Sequence, residues 1–231
     1  MIAHGDDIEK AEPDKLLIFL LRHGKPEFPD ERSYIYGQTD YPLSKEGEAQ
    51  ARRVGEALSE VRMDRIISSD LSRAASTADI VASLQRPPAV PERDAGIREI
   101  NMGEWDGLTK DEISGSYVDI FRERGKDLEH VAAPGGETFR EVSDRGLSSL
   151  RRIVESSRGM ERILLVAHGA VMWGMVCGLF DMRLGDIFRF GLDHCAIHLI
   201  EHRRKPAQWG QFRLVRYNWS PVLVDYNDDL V

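Results

Sequence analysis

Leu16-Leu17-Ile18-Phe19-Leu20-Leu21-Arg22-His23-Gly24 is a run of six apolar residues that stops abruptly at two basic side chains and a glycine. Unbroken apolar character over that length predicts a strand covered on both faces, as in a parallel sheet sandwiched between helices. A second run, Ile163-Leu164-Leu165-Val166-Ala167, stops in the same way at His168-Gly169, and Ile66-Ile67 marks a shorter strand. Helical spacing fills the intervals. Val54, Ala57, Leu58 and Val61 form one stripe, in a helix starting after Ser44. Leu71, Ala74, Ala75, Ala78, Val81 and Ala82 form a second stripe, of small residues suited to close packing. Thr109 and Glu112 have capping-box spacing, and Phe139, Val142, Gly146, Leu150 and Ile153 mark a longer helix.

Strands alternating with helices predict an α/β fold: a three-layer sandwich around a mostly parallel, doubly wound sheet. Residues 196–201 and 212–217 read as an antiparallel hairpin near the C-terminus. We expect one domain over residues 16–231, behind a polar leader of residues 1–15. Residues 25–43 and 125–137 show no periodicity and read as loops over a ligand site.

Composition narrows the function classes. The 231 residues carry 31 Lys and Arg against 39 Asp and Glu, a net charge of −8, which argues against a nucleic-acid binder. No apolar run reaches the roughly 18 residues of a membrane span, and the start is polar and acidic, so a cytoplasmic protein without a membrane partner is expected. The two cysteines, Cys177 and Cys195, read as buried free thiols, the second opening a strand.

Ligands of open α/β sheets bind beyond the carboxyl ends of the strands, where His23 and His168 both fall. Arg22 adds fixed charge beside His23. Arg73 stands near the start of a helix whose dipole points to the same crevice. Two arginines with two histidines suit a phosphoryl group: the guanidinium fork matches its oxygens, and a neutral imidazole can attack phosphorus. A protonated second histidine would stabilise the oxygens. A leaving alkoxide also needs a proton, and by pattern Glu99, Glu104 and Asp106 are equivalent donors. His194 and His198, four apart, lack the neighbouring pattern of a metal site, so no metal is expected. His4, His130 and His202 read as surface residues, and Trp105 as packing or pocket mouth.

Four ordered blocks resemble the histidine phosphatase superfamily, also called phosphoglycerate mutase-like. They are Leu21-Arg22-His23-Gly24; Gly37-Gln38-Thr39-Asp40-Tyr41-Pro42-Leu43-Ser44 with Gly47; Ser68-Ser69-Asp70-Leu71-Ser72-Arg73-Ala74 with Thr77-Ala78; and Val166-Ala167-His168-Gly169. Arg98-Glu99-Ile100 and Pro134-Gly135-Gly136-Glu137 lie between the last two. The resemblance implies that His23 is a phosphorylated nucleophile, with Arg22, Arg73 and His168 completing the phosphate pocket. It makes Glu99 the proton donor and leaves Glu104 and Asp106 as bystanders. It places Gln38, Thr39 and Gly169 at the substrate and calls for no cofactor. Lys25-Pro26-Glu27-Phe28-Pro29 replaces the family's usual Glu-Thr, and its phosphate-holding Asn has no counterpart we can place.

The 69-residue step from Glu99 to His168 (168 − 99) resembles the shorter, phosphatase-type branch, which includes α-ribazole and broad-specificity phosphatases. The expected partner is therefore a small-molecule phosphate monoester, with association into a homodimer left open. A phosphoglycerate mutase-type phosphotransferase and a catalytically silent phosphoryl-binding protein are the alternatives.

Overall fold

A computed structural model describes residues 15–205 and 208–220; all but the last residue of the leader, His4 and residues 221–231 lie outside the described residues. The opening stretch forms β1 (Lys15–Arg22), followed by β2 (Tyr34–Ile35), α1 (Lys45–Ala57), β3 (Arg65–Ser68), α2 (Ser72–Ser83) and β4 (Glu92–Arg93). Then come β5 (Leu108–Thr109), α3 (Lys110–Ser116), α4 (Val118–Lys126), α5 (Phe139–Ser156), β6 (Arg162–Ala167), α6 (Gly169–Leu179), β7 (Ile197–Lys205) and β8 (Gln208–Trp219). The main sheet has the order β4-β3-β6-β1-β7-β8. Its first four strands run parallel, while β7 joins β1 and β8 joins β7 antiparallel. This is the α/β sandwich read from the sequence.

The run that opens the chain is apolar throughout because both of its faces are covered. Leu16, Ile18 and Leu20 pack with Val142, Leu150 and Ile153 of α5 and Val171 and Met175 of α6. Phe19 and Leu21 pack on the other face with Ala51 and Val54 of α1 and Ala74, Ala78 and Val81 of α2. Each fully buried Leu or Ile contributes about 1.5–3 kcal/mol relative to exposure.

Helix starts follow the sequence. Ser44 caps α1, its Oγ accepting from Gly47 N at 3.1 Å, and Thr109 and Thr138 form capping boxes with Glu112 and Glu141. The Ser44 cap also donates to Lys25 O, which presses the first turn of α1 onto the chain leaving β1. A Cβ on Gly24 would lie 2.5 Å from Gly47 O, and one on Gly47 would lie 2.1 Å from Lys25 O. Backbone atoms occupy both places, so neither site can take a side chain without moving a main chain.

Several readings change. The segment of residues 25–43 is tied down by a Pro26–Leu43 bridge and by β2, which pairs with β5; a two-residue strand is too short to show a period. The loop expected from residue 125 opens inside α4, which is polar enough to lack a buried face. Cys195 does not open the strand: it sits at φ 58°, two residues before β7. His202 is buried at 4% exposure, stacked on Phe212 across the β7–β8 ladder, not on the surface. Trp105 is core, 1% exposed. Both cysteines are free and buried, and no helix among the described residues is long and apolar enough to cross a membrane.

Gly47→Ala should destabilise the protein by about 2 kcal/mol through overpacking. Urea unfolding measures this; a midpoint equal to the parent's would contradict the close approach of α1 to β1.

Candidate functional site

Parallel pairing of β1 with β6 places Arg22 opposite Ala167, so His23 and His168 leave adjacent strands at one level. His23 N donates to Ala167 O at 3.0 Å, and the two imidazole centroids are 4.9 Å apart. Both rings are fully buried. Gly24 O lies 2.7 Å from His23 Nδ1, and a carbonyl can only accept, so that nitrogen carries the proton. His23 Nε2 is then the bare, nucleophilic nitrogen, buried without a partner in the protein.

Arg73 enters from the first turn of α2 and is fully buried. Its Nη1 and Nη2 donate to Thr39 O at 3.0 Å and Gly37 O at 2.6 Å. Arg22 donates to Leu192 O. Arg22 Nε, Arg73 Nε and both His168 nitrogens are buried without protein partners, alongside His23 Nε2. Buried polar atoms are normally satisfied, so such a group around one point is suited to an external acceptor with several oxygens.

The charges set the protonation states. Burial first, then Arg73 and Arg22, hold His23 well below its ordinary value, so it is neutral near pH 7. His168 is lowered by burial, then by His23, Arg73 and Arg22, so it too is neutral in the free protein rather than protonated. Glu99 is 8% exposed, and burial raises its pKa although Ile100 N, Arg73, Arg22 and Ala170 N oppose the rise. Its Oε1 accepts from Ile100 N at 2.9 Å and Ala170 N at 3.0 Å. Its Oε2 lies 3.6 Å from where a Cβ on Gly169 would stand, an ordinary contact distance, so the carboxyl borders that glycine.

The three acid candidates now separate. Asp106 takes backbone N–H bonds from Gly37, Gln38 and Thr39 at 2.9, 2.8 and 3.0 Å, which shapes the loop whose carbonyls hold Arg73. Glu104 accepts from the Tyr117 hydroxyl. Only Glu99, of the three, stands against the α6 N-terminus beside His168. Gln38 donates its Nε2 to Glu99 O at 3.1 Å, and Thr39 acts through its main chain. Arg145 and Glu137 clasp the same segment: Arg145 donates to Gly96, Arg98 and Glu99 carbonyls, and Glu137 accepts from Asn101 N.

Two residues were missed. Tyr36 lies under Arg73, 5.2 Å from its guanidinium, and its hydroxyl is raised mainly by burial while Arg22 and Arg73 lower it. His194 lies 5.5 Å from His23, ring to ring. The signal for Tyr36 was its place directly before the Gly37 block. For His194 it was the antiparallel pairing of β7 with β1, which brings the start of one strand to the end of the other. His198, the other member of the supposed pair, is stacked on Tyr217 at 4.2 Å and accepts from Asn218 N. Lys25 pairs with Glu46 at 2.6 Å on the surface.

A parallel-sheet crevice with two strand-end histidines among arginines has the chemistry to suit a phosphoryl group. The chain belongs to the histidine phosphatase superfamily (branch 1), whose family model matches residues 18–220. It is 33% identical over 194 residues to a Salmonella choleraesuis protein named probable phosphoglycerate mutase GpmB, covering 84% of this chain and 87% of that one. It is also similar to the solved mycobacterial glucosyl-3-phosphoglycerate phosphatase, at 25% identity and TM-score 0.79 over 88% of this chain and 99% of the other. The α-ribazole phosphatase of Shigella flexneri shares the fold, with TM-score 0.77 at 22% identity over 91% of this chain and 100% of that one.

Asp106→Ala should strip the acceptor from three backbone N–H groups and loosen the carbonyls that hold Arg73. Stability should fall by about 2 kcal/mol, and inorganic phosphate should bind more weakly. Calorimetry tests both; unchanged phosphate affinity would detach Asp106 from the pocket.

Proposed function

We propose that the protein is a phosphomonoesterase that passes the phosphoryl group of a small-molecule ester through His23 to water. The observation that carries the reading is the state of His23: Nδ1 committed to Gly24 O, the ring neutral, and Nε2 bare among two arginines. His23 Nε2 attacks phosphorus and the P–O ester bond breaks. Glu99, its pKa raised chiefly by burial, gives its proton to the departing alkoxide. In the second half, the Glu99 carboxylate takes a proton from water, the hydroxide attacks phosphorus, and the N–P bond breaks. Arg22 and Arg73 hold the phosphoryl oxygens throughout, and His168 donates to them. The shares of charge are fixed before substrate arrives, which lowers reorganisation in the transition state.

A second reading is a mutase that returns the phosphoryl group to a bound phosphoglycerate; the relative named probable phosphoglycerate mutase favours it. The two differ in the acceptor, not in the first half-reaction. Incubation with 3-phosphoglycerate separates them: free phosphate is the expected product, and rapid appearance of 2-phosphoglycerate with little phosphate would select the mutase.

His23→Ala should lower turnover of p-nitrophenyl phosphate by about 10⁴-fold or more; a protein pure of other phosphatases that keeps its rate would reject the reading. A parent protein that binds phosphate yet hydrolyses nothing would instead mark a silent binding protein.

The pH profile of kcat/KM gives an independent check. His23 must be neutral, and its pKa is depressed, so the acid limb falls well below pH 6.5. Glu99 must be protonated, and its pKa is raised, so activity declines as pH climbs through that raised value. Glu99→Gln should cost about 10²–10⁴-fold and flatten the alkaline limb; an alkaline limb that survives the substitution removes Glu99 from the role.

A further inference from the structure

We infer that His194 is a further phosphoryl-binding side chain, its Nε2 donating to an oxygen of the group held at His23. The inference rests on the part of the functional reading that places the phosphoryl group in the crevice at His23, not on its transfer.

The backbone that carries His194 is fastened to the nucleophile itself. Leu192 O accepts from Arg22, and Cys195 N donates to Arg22 O at 3.1 Å and His23 O at 3.3 Å. Cys195 turns the chain in the left-handed region, at φ 58°. Asp193 and Asn218 clamp the turn from outside, through Asp193 N to Asn218 Oδ1 at 2.8 Å and Asn218 Nδ2 to Asp193 Oδ2 at 2.9 Å. Every one of these bonds fixes the height of residue 194 relative to His23. The imidazoles consequently meet at 5.5 Å, tilted by 49°.

The ring is placed as a donor would be. His194 Nε2 is buried and has no partner in the protein, like His23 Nε2 and both nitrogens of His168. His198 also leaves its Nε2 buried without a partner, but its ring stacks on Tyr217 and its Nδ1 accepts from Asn218 N, whereas the ring of His194 faces His23. The charges facing His194 are Arg22 from β1, Lys25 after it, Glu46 from α1 and Asp193 beside it, with His23 across the ring contact. Burial, then Arg22 and Lys25, bring its pKa down to about 4 against the smaller upward pull of Asp193 and Glu46. An arriving phosphoryl dianion opposes that lowering and favours a proton on Nε2. A hydrogen bond to a charged oxygen is of the stronger class.

Inorganic phosphate is the probe, because its binding does not depend on turnover. His194→Ala should weaken it about 10- to 100-fold by isothermal titration calorimetry at pH 7. Affinity within twofold of the parent overturns the inference. Should the variant fold poorly, ¹⁵N spectra of the histidine side chains in the unaltered protein decide: His194 Nε2 is expected to carry a proton in the phosphate complex, and an Nε2 left bare overturns it. If His23→Ala abolishes hydrolysis while His194→Ala binds phosphate normally, the inference fails alone. If the parent hydrolyses nothing but His194→Ala loses phosphate, the function fails and the inference stands.

Discussion

The in-register parallel pairing of β1 with β6 is the constraint on which the site depends. Arg22 stands opposite Ala167, and the next residue of each strand is a histidine. Slipping that register by one residue would exchange the two faces of a strand buried on both sides. It would also separate the imidazoles by a full strand step. The helices that clothe the sheet therefore do two tasks at once: their apolar stripes hold the register, and α2 and α6 begin at the crevice the register creates.

The second requirement is that buried positive charge be held without being neutralised. Arg73 and Arg22 are anchored by carbonyls, Gly37 O, Thr39 O and Leu192 O, rather than by carboxylates. Asp106 stands one layer back and shapes the loop through its N–H groups. The guanidinium charges stay available for a phosphoryl group, and after burial they are among the causes that hold the neighbouring imidazoles neutral. Glu99 meets the opposite condition: burial outweighs the arginines and raises its pKa, which favours the protonated form.

The main sheet strands and the longer helices were legible because each has a local signature. Leu16 to Leu21 carries the pattern of a doubly covered strand, and Ser44 and Thr109 mark the starts of their helices. His23, Arg22, Arg73, Glu99 and His168 were legible from motif order, and the structure brings their side chains around one crevice. What escaped depended on contacts distant in sequence. His194 reads as a strand-entry histidine until β7 is known to pair with β1. Asp106 reads as one more loop carboxylate until the Gly37 loop folds over it. His202 reads as a polar residue in a hairpin until Phe212 covers its ring.

The account turns on the bare Nε2 of His23 becoming the covalent carrier of phosphorus. Rapid alkaline quenching during turnover of p-nitrophenyl phosphate, followed by peptide mapping by mass spectrometry, tests this directly. The phosphoryl group should be found on the peptide containing His23, acid-labile and absent before substrate is added. A label on His168, or turnover with no labelled histidine on any time scale shorter than a single cycle, would contradict it.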